Sequence, residues 1–180
     1  APENQKRARI ISDGNGGAII VWHDVRSGNG NYDIYAQRID ADGNPQWTND
    51  GIPVCNASKE QNSPCITSDG IGGAIIMWED FRTNYADLYG QRINKNGESL
   101  WTKNGVLVCG TTGAQSAPEV ISDGTGGAIV TWQDFRRNYA DMYAQRIDGG
   151  GTILWEEWGV AVCNAQGHES FAVIVSNGTE

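Results

Sequence analysis

Ala74-Ile75-Ile76-Met77-Trp78 is an unbroken apolar run, the pattern of a strand covered on both faces rather than one alternating between core and water. Asp69-Gly70-Ile71-Gly72-Gly73 before it supplies the positive-φ residues of a tight reversal, and Asn94-Lys95-Asn96-Gly97-Glu98 does the same further on. Between and around these turns the pattern predicts four strands: Cys65–Ser68, Ala74–Glu79, Asp87–Ile93 and Leu100–Cys109, the last irregular at Gly105. The third is mixed in character and suits a place nearer the sheet edge. The unit is an antiparallel meander.

The same unit occurs three times. Ser-Asp-Gly-x-Gly-Gly-Ala-Ile is followed each time by Trp-x-Asp-x-Arg, by Tyr-x-Gln-Arg-Ile, and by Trp, Gly and a Val-x-Val-Cys ending or a near variant. Asp13, Asp69 and Asp123 are spaced by 56 and 54 residues, and Cys55, Cys109 and Cys163 by 54 and 54. The difference lies between Arg26 and Asp33, where an insertion belongs in an exposed loop. Phe171–Gly178 matches Ala117–Gly124 at the same spacing of 54, as the start of a fourth copy. The expected organisation is 1–58, 59–112 and 113–166 for the three repeats and 167–180 for the first strand of a fourth.

A lone four-stranded sheet leaves both faces wet, so the copies must stack to bury their Trp and Ile side chains. Radial stacking makes them blades of an all-β propeller, whereas a β-trefoil uses shorter units and is complete at three. Three blades and one strand do not close a ring. The expectation is continuation in a longer chain or self-association, for example two half-rings giving about six blades.

Composition narrows the function classes. A net charge of -9 and a pI near 4.6 argue against nucleic acid or an anionic membrane surface as partner. No apolar run approaches the ~20 residues of a membrane helix, and Ala1-Pro2-Glu3-Asn4 lacks the features of a leader, so the chain reads as soluble and processed.

Candidate ligand-binding residues collect at the end bearing the loops between second and third strands: Asp24, Arg26 and Tyr32, then Asp80, Arg82 and Tyr85, then Asp134, Arg136 and Tyr139, together with the polar connections from each fourth strand to the next copy, Asn56–Asn62, Gly110–Ser116 and Asn164–Ser170. An aromatic ring beside carboxylate and guanidinium groups suits sugar recognition. The same acids could instead pair with Arg38, Arg92 and Arg146 or with Arg26, Arg82 and Arg136, tying strands together. Trp22, Trp78 and Trp132 read as core, and Trp47, Trp101 and Trp155 as packing between blades. Cys55, Cys109 and Cys163 fill one repeated slot, too far apart for mutual bridges, while Cys65 is singular and could bridge to Cys55.

Metal and cofactor sites are not expected. Asp40-Ala41-Asp42-Gly43-Asn44 has the look of a calcium loop, but its equivalents lose the acids and a hairpin turn accounts for all three. His23 and His168 have no companion at zinc-ligand spacing. No nucleophile elbow or phosphate-cradling loop is present, and polar residues in triplicate argue against a singular catalytic constellation. The chain is expected not to be an enzyme.

With Ser68-Asp69-Gly70-x-Gly72-Gly73-Ala74, Trp78-x-Asp80-x-Arg82 and Tyr89-x-Gln91-Arg92-Ile93, nearly the whole chain resembles propeller-like repeats of large secreted or surface proteins of bacteria. That resemblance implies an extracellular or cell-surface setting and a noncatalytic binding or adhesion scaffold, with a glycan or a surface protein as partner. Two alternatives stand beside it. One is a purely structural repeat assembling into a ring or fibre; the other is a sialidase-like glycoside hydrolase, although the adjacent Ser12-Asp13, Ser68-Asp69 and Ser122-Asp123 depart from the Asp-box of that group.

Overall fold

The computed structural model describes residues 4–28, 30–137, 139–164 and 173–175. These form twelve strands: β1 (Gln5–Ser12), β2 (Ala18–Asp24), β3 (Asp33–Ile39) and β4 (Ile52–Cys55); β5 (Gln61–Ser68), β6 (Ala74–Asp80), β7 (Asp87–Ile93) and β8 (Val106–Cys109); β9 (Gln115–Ser122), β10 (Ala128–Asp134), β11 (Asp141–Ile147) and β12 (Val160–Cys163). Each set of four makes one antiparallel sheet in sequence order. Of residues 167–180, only 173–175 are described, and they lie outside any strand; the expected start of a fourth copy otherwise falls outside the described residues.

The second strand runs one residue further than the sequence pattern, to Asp80, and two other bounds differ by more, each for a local reason. The first strands begin four residues earlier than expected, at Gln61 rather than Cys65 in the second sheet. Their early part is bulged: register shifts between Lys6 and Arg9 and between Asn62 and Cys65, and Arg7, Ser63 and Ala117 take φ of 53, 50 and 52°. Pro64 and Pro118, which follow the bulge in two sheets, are tolerated because this is an edge strand. The fourth strands begin later, at Val106 rather than Leu100. Residues 100–105 form a loop clamped by Gln91, whose Oε1 accepts from the Trp101 amide at 2.9 Å and whose Nε2 donates to the Thr102 carbonyl at 2.9 Å. Gly105 closes the loop at φ 90°, where a Cβ would lie 2.5 Å from the Trp78 ring.

The two faces of each sheet serve different neighbours. In β6, Ile76 and Trp78 pack with Ile19, Val21, Val54 and Cys55 of the first sheet, while Ile75 and Met77 pack with Val120, Val130 and Trp132 of the third. Ala74 to Trp78 are all fully buried, as expected of a strand covered on both sides. Each large apolar side chain so placed contributes about 1.5–3 kcal/mol relative to exposure. Successive sheets approach one another through their first strands, β1 to β5 and β5 to β9. Four-stranded meanders stacked face to face and converging on their first strands are the blades of a β-propeller. Among the described residues no helix is long and apolar enough to cross a membrane.

Candidate functional site

At the end of each second strand, a Trp-x-Asp-x-Arg segment folds onto itself. Asp80 is fully buried; its Oδ1 accepts from the Arg82 amide at 2.9 Å and from Arg82 Nε at 2.8 Å, and its Oδ2 accepts from Trp78 Nε1 at 2.9 Å and Arg82 Nη2 at 2.6 Å. Asp134 with Trp132 and Arg136, and Asp24 with Trp22 and Arg26, repeat the arrangement. The guanidinium then lies over the neighbouring tyrosine of the third strand, 3.9 Å from the Tyr89 ring and 3.8 Å from Tyr143. Burial pushes the carboxyls of Asp24 and Asp134 up, but the arginine and tryptophan hydrogen bonds outweigh it and hold both below the usual value.

Arg38, Arg92 and Arg146 serve a separate pair. They meet Asp13, Asp69 and Asp123 at the opposite end of the blade, at 2.8, 3.0 and 2.8 Å. Those aspartates also close the turn between first and second strands: Asp69 Oδ1 accepts from the Ile71 amide at 3.0 Å and the Gly73 amide at 2.8 Å. The triplicated Asp and Arg at fixed spacing were the signal for this second pair. Asp40, Asn94 and Asp148 are turn residues as well; Asp40 Oδ1 accepts from the amides of Asp42 and Asn44 at 3.0 and 2.8 Å. Among the described residues no group of three or more acidic, His or Cys side chains is placed to hold a metal.

The expected ligand set is therefore divided. The carboxylates of Asp24, Asp80 and Asp134 have their acceptor positions filled from within the blade, and Arg26, Arg82 and Arg136 face them. Tyr85 and Tyr139 are 58% and 56% exposed on the loops between second and third strands. Tyr32 is not their equivalent. Its carbonyl accepts from Gln61 as that of Ala86 accepts from Gln115, so it fills the Ala86 slot, and its ring stacks on His23 at 4.3 Å.

The Cys55–Cys65 bridge does not form; both thiols are free. They lie on opposite sides of the second sheet, Cys55 with Trp78 and Ile76, Cys65 with Ile75 and Met77. Cys55 Sγ sits 3.5 Å from Arg82 Nη2 and 3.6 Å from the Asn104 carbonyl. Cys109 occupies the same place against Arg136 and Trp158. Burial pushes both thiols up to about 12.

Apart from His23, Cys65 and the loop between Arg26 and Asp33, the residues that differ between copies were missed in the sequence. They gather on the converging first strands and the penultimate position of the second strands, where Lys6 pairs with His23, Asn62 with Glu79 and Ser116 with Gln133. Glu79 Oε1 reaches across to the next blade and accepts from the Ala117 amide at 2.8 Å. Glu60 Oε2 accepts from Asn62 Nδ2 at 3.2 Å. His23 is buried beside Asn62; burial first, then the charge of Arg7, lowers its pKa and keeps it neutral at pH 7. Divergence at one structural slot inside an otherwise faithful repeat was the available signal.

These are β-propeller blades, with one tandem repeat per blade. No family model matches the chain, and no curated protein does. Among solved structures it is similar to a GH43 endo-arabinanase from Bacillus licheniformis, with 15% identity and a TM-score of 0.48, over 90% of this chain and 60% of that one. The chain thus spans 60% of the length of that protein. A noncatalytic binding or adhesion scaffold, and a chain that is not an enzyme, were expected because the polar residues come in triplicate; both expectations are corrected. The structure to which the blades are similar is a glycoside hydrolase, and the triplicated Asp, Arg and Trp are engaged in holding each blade together. Their repetition reports the fold and is silent on chemistry.

Proposed function

We propose that these blades belong to an extracellular propeller glycoside hydrolase whose substrate runs along the converging first strands, at the end carrying Glu60 and Glu79. The observation that supports this reading is the singular polar set at that edge, Lys6, His23, Asn62, Glu79, Ser116 and Gln133, within blades whose Ser-Asp-Gly, Trp-x-Asp-x-Arg and Tyr-x-Gln-Arg-Ile residues repeat. Glycoside hydrolysis needs two carboxyl groups in different roles. The Ala117 amide donates to Glu79 Oε1 and fixes the orientation of the carboxyl group, which suits it to the base or nucleophile side. Glu60, on the connection into β5, is the partner carboxyl for protonating the leaving oxygen.

The test is release of reducing sugar from a polysaccharide panel that includes arabinan, the substrate in the name of the similar hydrolase. Glu79→Gln should lower turnover at least ~100-fold without changing the melting temperature, and Glu98→Gln, on an exposed turn, should leave it intact. No turnover on any polysaccharide, or full turnover by Glu79→Gln, overturns the reading. A second reading, an architectural repeat that only builds a ring, is favoured by the complete engagement of the triplicated polar groups within blades. It is what remains if the panel is silent.

A further inference from the structure

Both internal joints are built alike. At each, the Val-Cys end of a fourth strand enters the Trp-Asp-Arg face of the next blade: Val54 and Cys55 against Trp78, Val108 and Cys109 against Trp132. A tryptophan indole from the first of the two blades donates to a turn carbonyl of the second, Trp47 to Lys95 at 3.1 Å and Trp101 to Gly149 at 3.0 Å. The outer blades carry one half of this joint each. On the third, Val162 is 63% exposed where Val54 and Val108 are 3% and 1%, Cys163 is exposed, and Trp155 is 38% exposed. On the first, Ile10 is 65% exposed where Val120 is 8%, and Trp22 is half-buried where Trp78 and Trp132 are fully buried. A cavity of about 340 Å³ opens there, lined by Gln5, Trp22, Arg26, Gln37, Pro45 and Asp50. Trp22, Arg26 and Asp50 correspond to Trp78, Arg82 and Asn104, which surround the Cys55 thiol at the first internal joint.

We propose that a second copy of this chain docks head to tail, its Val162 and Cys163 entering the Trp22–Arg26–Asp50 hollow and its Trp155 indole donating to the Ala41 carbonyl. The occupant is chosen by continuity with the internal joints, because the same side chains occur on both sides of the contact in the same order. The contact is heterologous: plug and socket are different surfaces, and two copies can form two of them and bring six blades together. The proposal does not rest on the hydrolase reading and fails or stands independently of it.

Ile10→Arg spoils the socket and Val162→Arg the plug, and both positions are exposed in the single chain, so neither change disturbs its fold. In sedimentation velocity at about 100 µM, the parent chain should show twice the 19.5 kDa chain mass or a larger multiple. Each variant alone should be monomeric, and an equimolar mixture should recover a dimer, since one intact plug and one intact socket remain. Asp50→Cys should also cross-link to Cys163 on mild oxidation, and lose the cross-link in combination with Cys163→Ser. A monomeric parent, variants that keep the parent mass, or a mixture that stays monomeric overturns the proposal. A symmetric dimer would give that last pattern, because it has no complementary halves to restore.

Discussion

Asp80→Ala removes a fully buried carboxylate that accepts from Trp78 Nε1, from the Arg82 amide and from two nitrogens of the Arg82 guanidinium. Alanine leaves the indole N–H without a partner in a fully buried ring and a guanidinium that is only 22% exposed without its counter-ion. Breaking a buried ion pair from one side costs about 3–5 kcal/mol. The stranded indole donor falls within the same loss rather than adding a full ~1–3 kcal/mol, because the groups are neighbours. At a urea slope of about 2 kcal/mol/M, the unfolding midpoint followed by tryptophan fluorescence should fall by about 2 M. Asp80→Ala with Arg82→Met should be less damaging than Asp80→Ala alone, since the uncompensated charge is gone. A loss below about 1 kcal/mol for Asp80→Ala would place the pair in the class of surface salt bridges and refute the reasoning.

Two further outcomes follow from the same geometry. The Cys55, Cys65 and Cys109 thiols, all buried and pushed upward by burial, should resist an aromatic disulfide reagent at pH 8, while Cys163 of the Val162→Arg chain reacts at once; four fast thiols, or fewer than four free thiols after unfolding, would contradict the structure. Stability should fall as the solution is acidified below about pH 4. Asp13 is held below its ordinary 3.8 by the Asn15 amide and then Arg38, Asp40 by the Asn44 amide, and Asp24, Asp123 and Asp134 by hydrogen bonds that outweigh their burial. Stability from such groups is present above the unfolded pKa and lost as pH falls through the lower folded one. Asp33 and Asp87, raised by burial, oppose this and gain as they protonate. Melting temperature between pH 5 and 3 is the measurement, and a flat or rising curve would contradict the assignment.

The sequence by itself determined the unit and its order. An apolar run in each second strand, turn residues at fixed offsets and a period near 54 residues are local properties, and they specify strands, reversals and the need to stack. They also marked Asp24, Asp80 and Asp134 as groups that matter, but not which arginine each would meet. That was decided by tertiary structure: residues two apart curl together at a strand end, while Arg38, Arg92 and Arg146 reach back across the sheet to Asp13, Asp69 and Asp123. Spacing could not separate these, because every candidate occurs in all three copies. The Cys55–Cys65 bridge failed for the same kind of reason, since ten residues of separation say nothing about which face of a sheet a side chain takes once the first strand is bulged. Only the stacking of blades revealed that Lys6, His23, Asn62, Glu79, Ser116 and Gln133, which break the repeat, lie together along the converging strands, and that each outer face carries the residues of half an internal joint.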